Sequence, residues 1–168
     1  IGIELSRQLL ELGHKVRVFD LGEVISAREK EFAKGTKLFR GSIMEESSLG
    51  TALDGAEIVI HLAALLGVNR SEAQKLRCFE VNVVGTKNVL DAAVKSNIKR
   101  VVFASSSEVY GEPLSNPISE DSITQGKTVY AVTKLMGEEL CKAYLQQHGL
   151  EYSILRYFNC YGPCQTDQ

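Results

Sequence analysis

"IELSRQLLELGHKVRVFD", residues Ile3 to Asp20, holds the pattern on which the fold turns. Its first half reads as a helix that stops at Gly13, a residue that closes helices because it adopts the left-handed conformation without a Cβ penalty. Its second half, "HKVRVFD" from His14, is short, rich in β-branched and aromatic residues and bounded by a glycine and an acid, which marks a strand. The alternation continues along the chain. Further strands are predicted at Lys37 to Gly41, Ala56 to Ala64, Lys99 to Ser106 and Glu151 to Asn159. "GTKNVLDAAVKSN" keeps Val89, Leu90, Ala93 and Val94 on one helical stripe. "VYAVTKLMGEELCKAYLQQHG" reads as the longest helix, closed by Gly149, with Val132, Leu135, Met136, Leu140 and Tyr144 marking its apolar face. Several strands are apolar on both faces, as a parallel sheet covered by helices on each side requires. The expected class is α/β, a doubly wound parallel sheet of Rossmann type, in one domain spanning 1–168.

Composition narrows the partners. Nineteen basic residues face 21 acidic ones, a net charge of -2, which suggests neither a nucleic-acid nor a membrane surface. The longest apolar run, Ala56 to Val68, is broken by Glu57 and His61 and is too short to span a bilayer. Four cysteines, Cys78, Cys141, Cys160 and Cys164, fit no zinc ribbon or CxxC pattern, so no metal is expected. They read as reduced thiols of a cytoplasmic protein.

The chain opens on Ile1-Gly2-Ile3 already inside a helical pattern. In a dinucleotide-binding fold that helix follows the first strand and a glycine-rich turn. The expectation is that Gly2 is the last glycine of that turn. The first strand, the start of the glycine motif and a C-terminal substrate domain are expected to lie outside these 168 residues.

Three stretches carry chemistry. "ASSSEVYGEP", Ala104 to Pro113, sets three serines and Glu108 at the end of a strand. Tyr130 and Lys134 stand at i and i+4 on the long helix, so they share a face. An ammonium beside a phenol favours the phenolate, so Tyr130 is expected to have a lowered pKa and to act as a general base. Asp20 ends the second strand of the expected sheet, where an acid accepts hydrogen bonds from a ribose and repels a 2′-phosphate, pointing to NAD over NADP. His61 reads as packed and hydrogen-bonded at a strand end, and Phe103 as core.

"SSSEVYG", the Y-x-x-x-K pair, "VNVVGTKNVL" and "LRYFN", taken in order, resemble the extended short-chain dehydrogenase/reductase family of nucleotide-sugar epimerases and dehydratases over the whole chain. The resemblance implies NAD as cofactor, a nucleotide sugar as substrate and a homodimer through two helices, including the one that bears Tyr130. It implies catalytic roles for Ser106, Tyr130, Lys134 and Glu108, with Ser106, Ser107 and Asn159 touching substrate. It implies a cofactor site from Gly2, Asp20, Ser42, Ile43, Leu62, Ala63, Ala64, Asn82, Tyr130, Lys134 and Tyr157. Ser42 stands where family members commonly carry Asp, and Asn82 reads alternatively as a helix-kink or capping residue. Ser105 is expected to be structural or a minor substrate contact.

The implied chemistry begins with removal of a proton and a hydride at the sugar C4 carbinol, giving a 4-keto sugar. Three outcomes stay open. The favoured one is a 4-epimerase, which "YAVTKLMGEEL" and "LRYFNCYGP" resemble. A UDP-glucuronate decarboxylase or a 4,6-dehydratase would use Glu108, and Ser107-Glu108 resembles the decarboxylases. A catalytically silent NAD-binding module is the third reading.

Overall fold

The computed structural model describes residues 1–162. Helix α1 (Gly2–Glu11) ends as expected, with Gly13 at a φ of 86°. Strand β1 (Arg17–Asp20), helix α2 (Gly22–Arg28), strand β2 (Lys37–Arg40), helix α3 (Glu46–Leu53) and strand β3 (Ile58–His61) follow. Two short helices, α4 (Val68–Ala73) and α5 (Lys75–Phe79), lead through a π-helical turn (Glu80–Val84) into α6 (Gly85–Lys95). Strand β4 (Arg100–Ser106), a 3-10 turn (Ser107–Tyr110), helix α7 (Val129–His148) and strand β5 (Glu151–Tyr157) complete the order.

Every strand pairing is parallel, in the ladders β1–β2 and β3–β4–β5. Among the described residues, no ladder joins β1 to β3, so the expected sheet is seen as two pieces. The register sets Phe103 of β4 opposite His61 of β3 and opposite Ile154 of β5. Ser106 comes to lie opposite Tyr157. Parallel pairing puts the C-terminal ends of the three strands, Ser106 and Tyr157 among them, on the same side of the sheet.

The main core lies under β4. Leu90 and Ala93 of α6, Val101 and Phe103 of β4, and Cys141 and Tyr144 of α7 meet there with Ile98 and Leu150. Phe103 is 1% exposed, and burying a side chain of this kind contributes roughly 1.5–3 kcal/mol. A second cluster joins Ile43 and Leu49 to Val89 and Ala92.

Helix α7 corrects the expected apolar face. Of Val132, Leu135, Met136, Leu140 and Tyr144, only Tyr144 is buried, while Val132 is 37% and Met136 41% exposed. The buried face is Ala131, Thr133, Lys134, Gly137, Glu138, Cys141 and Tyr144. Gly137 explains the docking: a β-carbon there would fall 2.3 Å from the Phe103 ring, so only glycine lets the helix lie down on β4. Among the described residues, no helix is long and apolar enough to cross a membrane.

Candidate active site

The site starts where β4 ends. Beyond Ser106 the chain turns through Ser107–Tyr110, and the Ser106 hydroxyl accepts the Glu108 N–H at 3.2 Å, capping the turn. Gly111 closes it at a φ of 61°, with its α-carbon so near the Gln125 carbonyl that a β-carbon would lie 2.2 Å from the oxygen. Val109 and Tyr110 are buried, which leaves Glu108 exposed on the turn.

Helix α7 brings the second half. Its N-terminal N–H groups have no intrahelical partners. Thr128 Oγ1 accepts the Ala131 N–H at 3.1 Å, and Glu72 Oε1 from α4 accepts the Val129 N–H at 2.8 Å. These two caps fix the first turn, which carries Tyr130. One turn further, Lys134 is only 4% exposed, and its Nζ donates to the Ala104 carbonyl of β4 at 2.8 Å. The same Nζ lies 5.6 Å from the centre of the Tyr130 ring and 5.2 Å from that of Phe103.

The electrostatics differ from the sequence expectation. Tyr130 is pushed up to about 12, first by burial, then by Cys78 and Glu108, while a hydrogen bond with Ser106 pulls the other way. Its phenol is therefore protonated at neutral pH. Lys134 is pulled down to about 8 because burial penalises its charge. The i, i+4 spacing correctly puts both on one face, but the ammonium turns to the Ala104 carbonyl and does not lower the phenol. Ser106, Glu108 and Cys78 nonetheless all act on Tyr130.

Asn82 sits in the π-helical turn, 2% exposed, with its amide engaged throughout. Oδ1 accepts the Leu65 N–H at 2.7 Å, and Nδ2 donates to the Leu65 carbonyl at 3.2 Å, to Cys78 Sγ at 3.3 Å and to Thr133 Oγ1 at 3.1 Å. Thr133 in turn donates to the Tyr130 carbonyl at 2.8 Å. Asn82 thus fastens the loop after β3 to the first turn of α7, in keeping with its helix-kink reading. π-Helical turns are frequent at functional sites.

His61 is packed as expected, 5% exposed and 3.0 Å from Thr86 Oγ1. Thr86 spends its one hydroxyl proton on the Asn82 carbonyl, so the geometry assigns a proton to His61 Nε2. Burial first, and the nearby Lys134 second, hold the imidazole neutral with a pKa near 3, lowered to about 3 from its ordinary value.

The other expected residues are spread along the same strand ends. Asp20 closes β1, with Oδ1 accepting the Leu21 N–H at 2.8 Å. Ser42 Oγ accepts the Met44 N–H at 3.2 Å in a local turn. Ile43 is 8% exposed and its side chain goes into the core, so only its backbone remains available there. A β-carbon at Gly2 would meet Leu62 at 3.6 Å, ordinary contact, so packing among the described residues does not demand glycine. Leu62, Ala63 and Ala64 are half-buried after β3. Ser107 and Tyr157 are half-buried, and Asn159 is exposed. Ser105 is structural: its hydroxyl donates to Glu138 Oε1 at 2.5 Å inside the protein. Cys78 and Cys141 are buried and Cys160 exposed, all free, while Cys164 lies outside the described residues. Among the described residues, no group of His, Cys, Asp or Glu could hold a metal.

Sequence reasoning missed Glu72, Glu138 and Arg156. Glu138 was open to a helical count, since it follows Lys134 by four residues as Lys134 follows Tyr130. Arg156 lies in "LRYFN", but nothing in that stretch names its partner.

Parallel ladders flanked by helices, with a serine, a tyrosine and a lysine gathered at the strand ends, define an α/β protein of the dinucleotide-binding class. The chain belongs to the NAD dependent epimerase/dehydratase family, which it matches over residues 1–168. It is 36% identical over 174 residues to a UDP-N-acetyl-alpha-D-glucosaminuronate decarboxylase of Bacillus cytotoxicus, covering 99% of this chain and 53% of that one. It is 33% identical to a UDP-glucose 4-epimerase of Yersinia enterocolitica, covering 96% of this chain and 51% of that one. Among solved structures, the Thermus thermophilus UDP-glucose 4-epimerase complexed with NAD superposes with a TM-score of 0.89 at 30% identity, covering 98% of this chain and 54% of that one. The chain spans about half the length of the curated relatives it matches.

Proposed function

We propose that this chain is the NAD-binding part of a nucleotide-sugar 4-epimerase, which oxidises the sugar C4 hydroxyl to a transient 4-keto sugar. The observation that carries the reading is the gathering of Ser106, Tyr130 and Lys134 at one strand end. The residues fit the cofactor. Asp20 keeps Oδ2 without a hydrogen-bond partner among the described residues, ready for a ribose hydroxyl. Ala63 and Ala64 leave room for close backbone approach, and Lys134 and Tyr157 border the β4 end. When bound, oxidised NAD would supply the acceptor for the C4 hydride and a positive charge that would lower the Tyr130 pKa.

Each side chain then has a task. Ser106 holds the substrate hydroxyl and passes its proton towards Tyr130. Tyr130 is the general base. Lys134, fastened to Ala104, keeps a positive charge beside the Tyr130 ring and orients the site. Asn82 and Glu72 hold the first turn of α7 in place.

A second reading is favoured by Glu108, whose carboxylate stands close enough to act on the Tyr130 phenol. In a UDP-glucuronate-type decarboxylase or a 4,6-dehydratase, that acid serves the later bond-breaking step. The relative from Bacillus cytotoxicus is named a decarboxylase.

We further propose a homodimer formed through α7 and α5. Val132 and Met136 of α7, with Leu76 of α5 81% exposed, leave apolar side chains for a second copy. The free thiols suit a reducing compartment, so the cytoplasm is the proposed location. The unladdered edges of β1 and β3 are the proposed seat of a further parallel strand.

The test is to incubate the full-length protein and NAD with UDP-glucose, UDP-glucuronate, dTDP-glucose and GDP-mannose, and to identify products by mass and NMR. Epimerisation conserves mass, elimination loses water and decarboxylation loses carbon dioxide. A protein that binds NAD and changes none of the four would refute C4 oxidation of these substrates.

A further inference from the structure

Arg156 has more partners than a strand-end arginine needs. Its Nε donates to Glu138 Oε1 at 3.0 Å and its Nη2 to Glu138 Oε2 at 2.7 Å. Its Nη1 donates to the Tyr110 hydroxyl at 3.1 Å and to the Glu120 carbonyl at 2.9 Å. The guanidinium carbon lies 4.9 Å over the Tyr110 ring. The rigid fork of an arginine suits all of these at once, which a lysine's single ammonium does not. Burial works to raise the Glu138 pKa, but Arg156 and Ser105 outweigh it and hold the group ionised.

One guanidinium therefore joins four parts of the molecule: α7 at Glu138, β4 through Ser105 on the same carboxylate, the turn at Tyr110 and the following loop at Glu120. The turn carries Glu108, and α7 carries Tyr130. The turn's own bonds run from Ser106 to Glu108, Glu108 to Gly111, and Val109 to Gln125. None of these three reaches α7; Tyr110–Arg156–Glu138 does, beside the Ser106–Tyr130 hydrogen bond.

We propose that Arg156 is a positioning residue that sets where Glu108 stands relative to Tyr130, through Tyr110 on one side and Glu138 on the other. The inference rests on the proton-transfer role of Tyr130 proposed above. Cys78 of α5 and Glu108 of the turn act on the charge of the phenol, Ser106 hydrogen-bonds it, and Lys134 Nζ lies 5.6 Å from its ring on the same helix. Of these, Glu108 is the charge the bridge holds in place. If the turn drifts, the carboxylate leaves the phenol and the phenol's pKa falls.

The test compares Arg156→Lys and Tyr110→Phe with the unaltered full-length protein loaded with NAD. Tyr110→Phe removes only the hydroxyl and covers the case in which Arg156→Lys fails to fold. Hydrogen exchange is read first, because it does not depend on activity. Exchange at the Glu108 and Gly111 amides rises about tenfold or more in the variants while α7 stays protected. Unchanged exchange at these amides overturns the bridge.

Turnover is read next. In Arg156→Lys the pH limb that belongs to Tyr130 moves to lower pH, with KM little changed. Glu108→Gln moves the same limb the same way, and Arg156→Lys adds no further shift in that background. An equal shift in both backgrounds overturns action through Glu108. Should the unaltered protein bind NAD but oxidise no nucleotide sugar, the proton-transfer reading falls, and the exchange result still decides the bridge.

Discussion

The two faces of α7 are built on opposite principles. The face against β4 carries a lysine and a glutamate, 4% and 2% exposed, while the face towards solvent carries Val132 and Met136. An ordinary amphipathic helix does the reverse. The inner face tolerates its charges because each is bonded: Lys134 to the Ala104 carbonyl, and Glu138 to Ser105 and Arg156. Polarity is placed inside where a strand end needs chemistry, and apolar surface is left outside where a second copy is proposed to cover it.

Substitutions on the inner face carry the largest expected effects. Lys134→Met keeps the length of the side chain but removes the ammonium and the bond to Ala104. It is expected to lower kcat by about a hundredfold or more, measured at saturating substrate with NAD occupancy checked by absorbance. Glu138→Ala tests stability. It leaves the Arg156 guanidinium without its carboxylate partner, and breaking such a pair costs about 3–5 kcal/mol, read from urea melts.

A more gradual effect lies in the pH dependence. His61 has a folded pKa of about 3 against 6.5 in the unfolded chain. Between those values the unfolded state binds more protons, so stability falls as pH falls from 6.5 towards 3, by up to about 1.4 kcal/mol per pH unit. Lys134, lowered from 10.5 to about 8, has the same sign in its own window, and stability rises with pH from about 8 to 10.5. Melting His61→Gln across the acid range should flatten the first slope, and melting Lys134→Met across the alkaline range the second.

The smallest change in protomer stability is expected on the outer face. Met136→Lys should alter it by no more than about 0.5 kcal/mol, because that side chain is already 41% exposed. Sedimentation should nevertheless shift towards the monomer. A variant that stays dimeric would mean that the outer face does not hold the second copy.

The legibility of the sequence followed the same division. Strands were located to within a few residues because β-branched and aromatic runs bounded by glycine or polar residues are local signals, as at Arg17–Asp20 and Arg100–Ser106. The span of α7 was legible from Gly149, but its buried face was not. A count of apolar residues selected Val132 and Met136, while docking is decided by Gly137 on Phe103, a contact between distant segments. Helices α2, α3 and α4 are too short to show a strong period. Tyr130, Lys134 and Ser106 could be chosen from their spacing and order. The direction of the Tyr130 pKa could not, because spacing does not say that the ammonium turns towards Ala104. Arg156 and Glu138 are 18 residues apart on a strand and a helix, and only the fold brings them together.

The reaction proposed for the inner face of α7 is removal of a proton from a sugar hydroxyl at the end of β4. The decisive measurement is turnover of Tyr130→Phe in the full-length, NAD-loaded protein, using nucleotide sugar deuterated at C4. The unaltered protein is expected to oxidise C4 with a primary isotope effect. Tyr130→Phe, folded and still binding NAD, is expected to lose turnover by about a hundredfold or more. A Tyr130→Phe protein that turns over as the unaltered one does, with the same isotope effect, would contradict it.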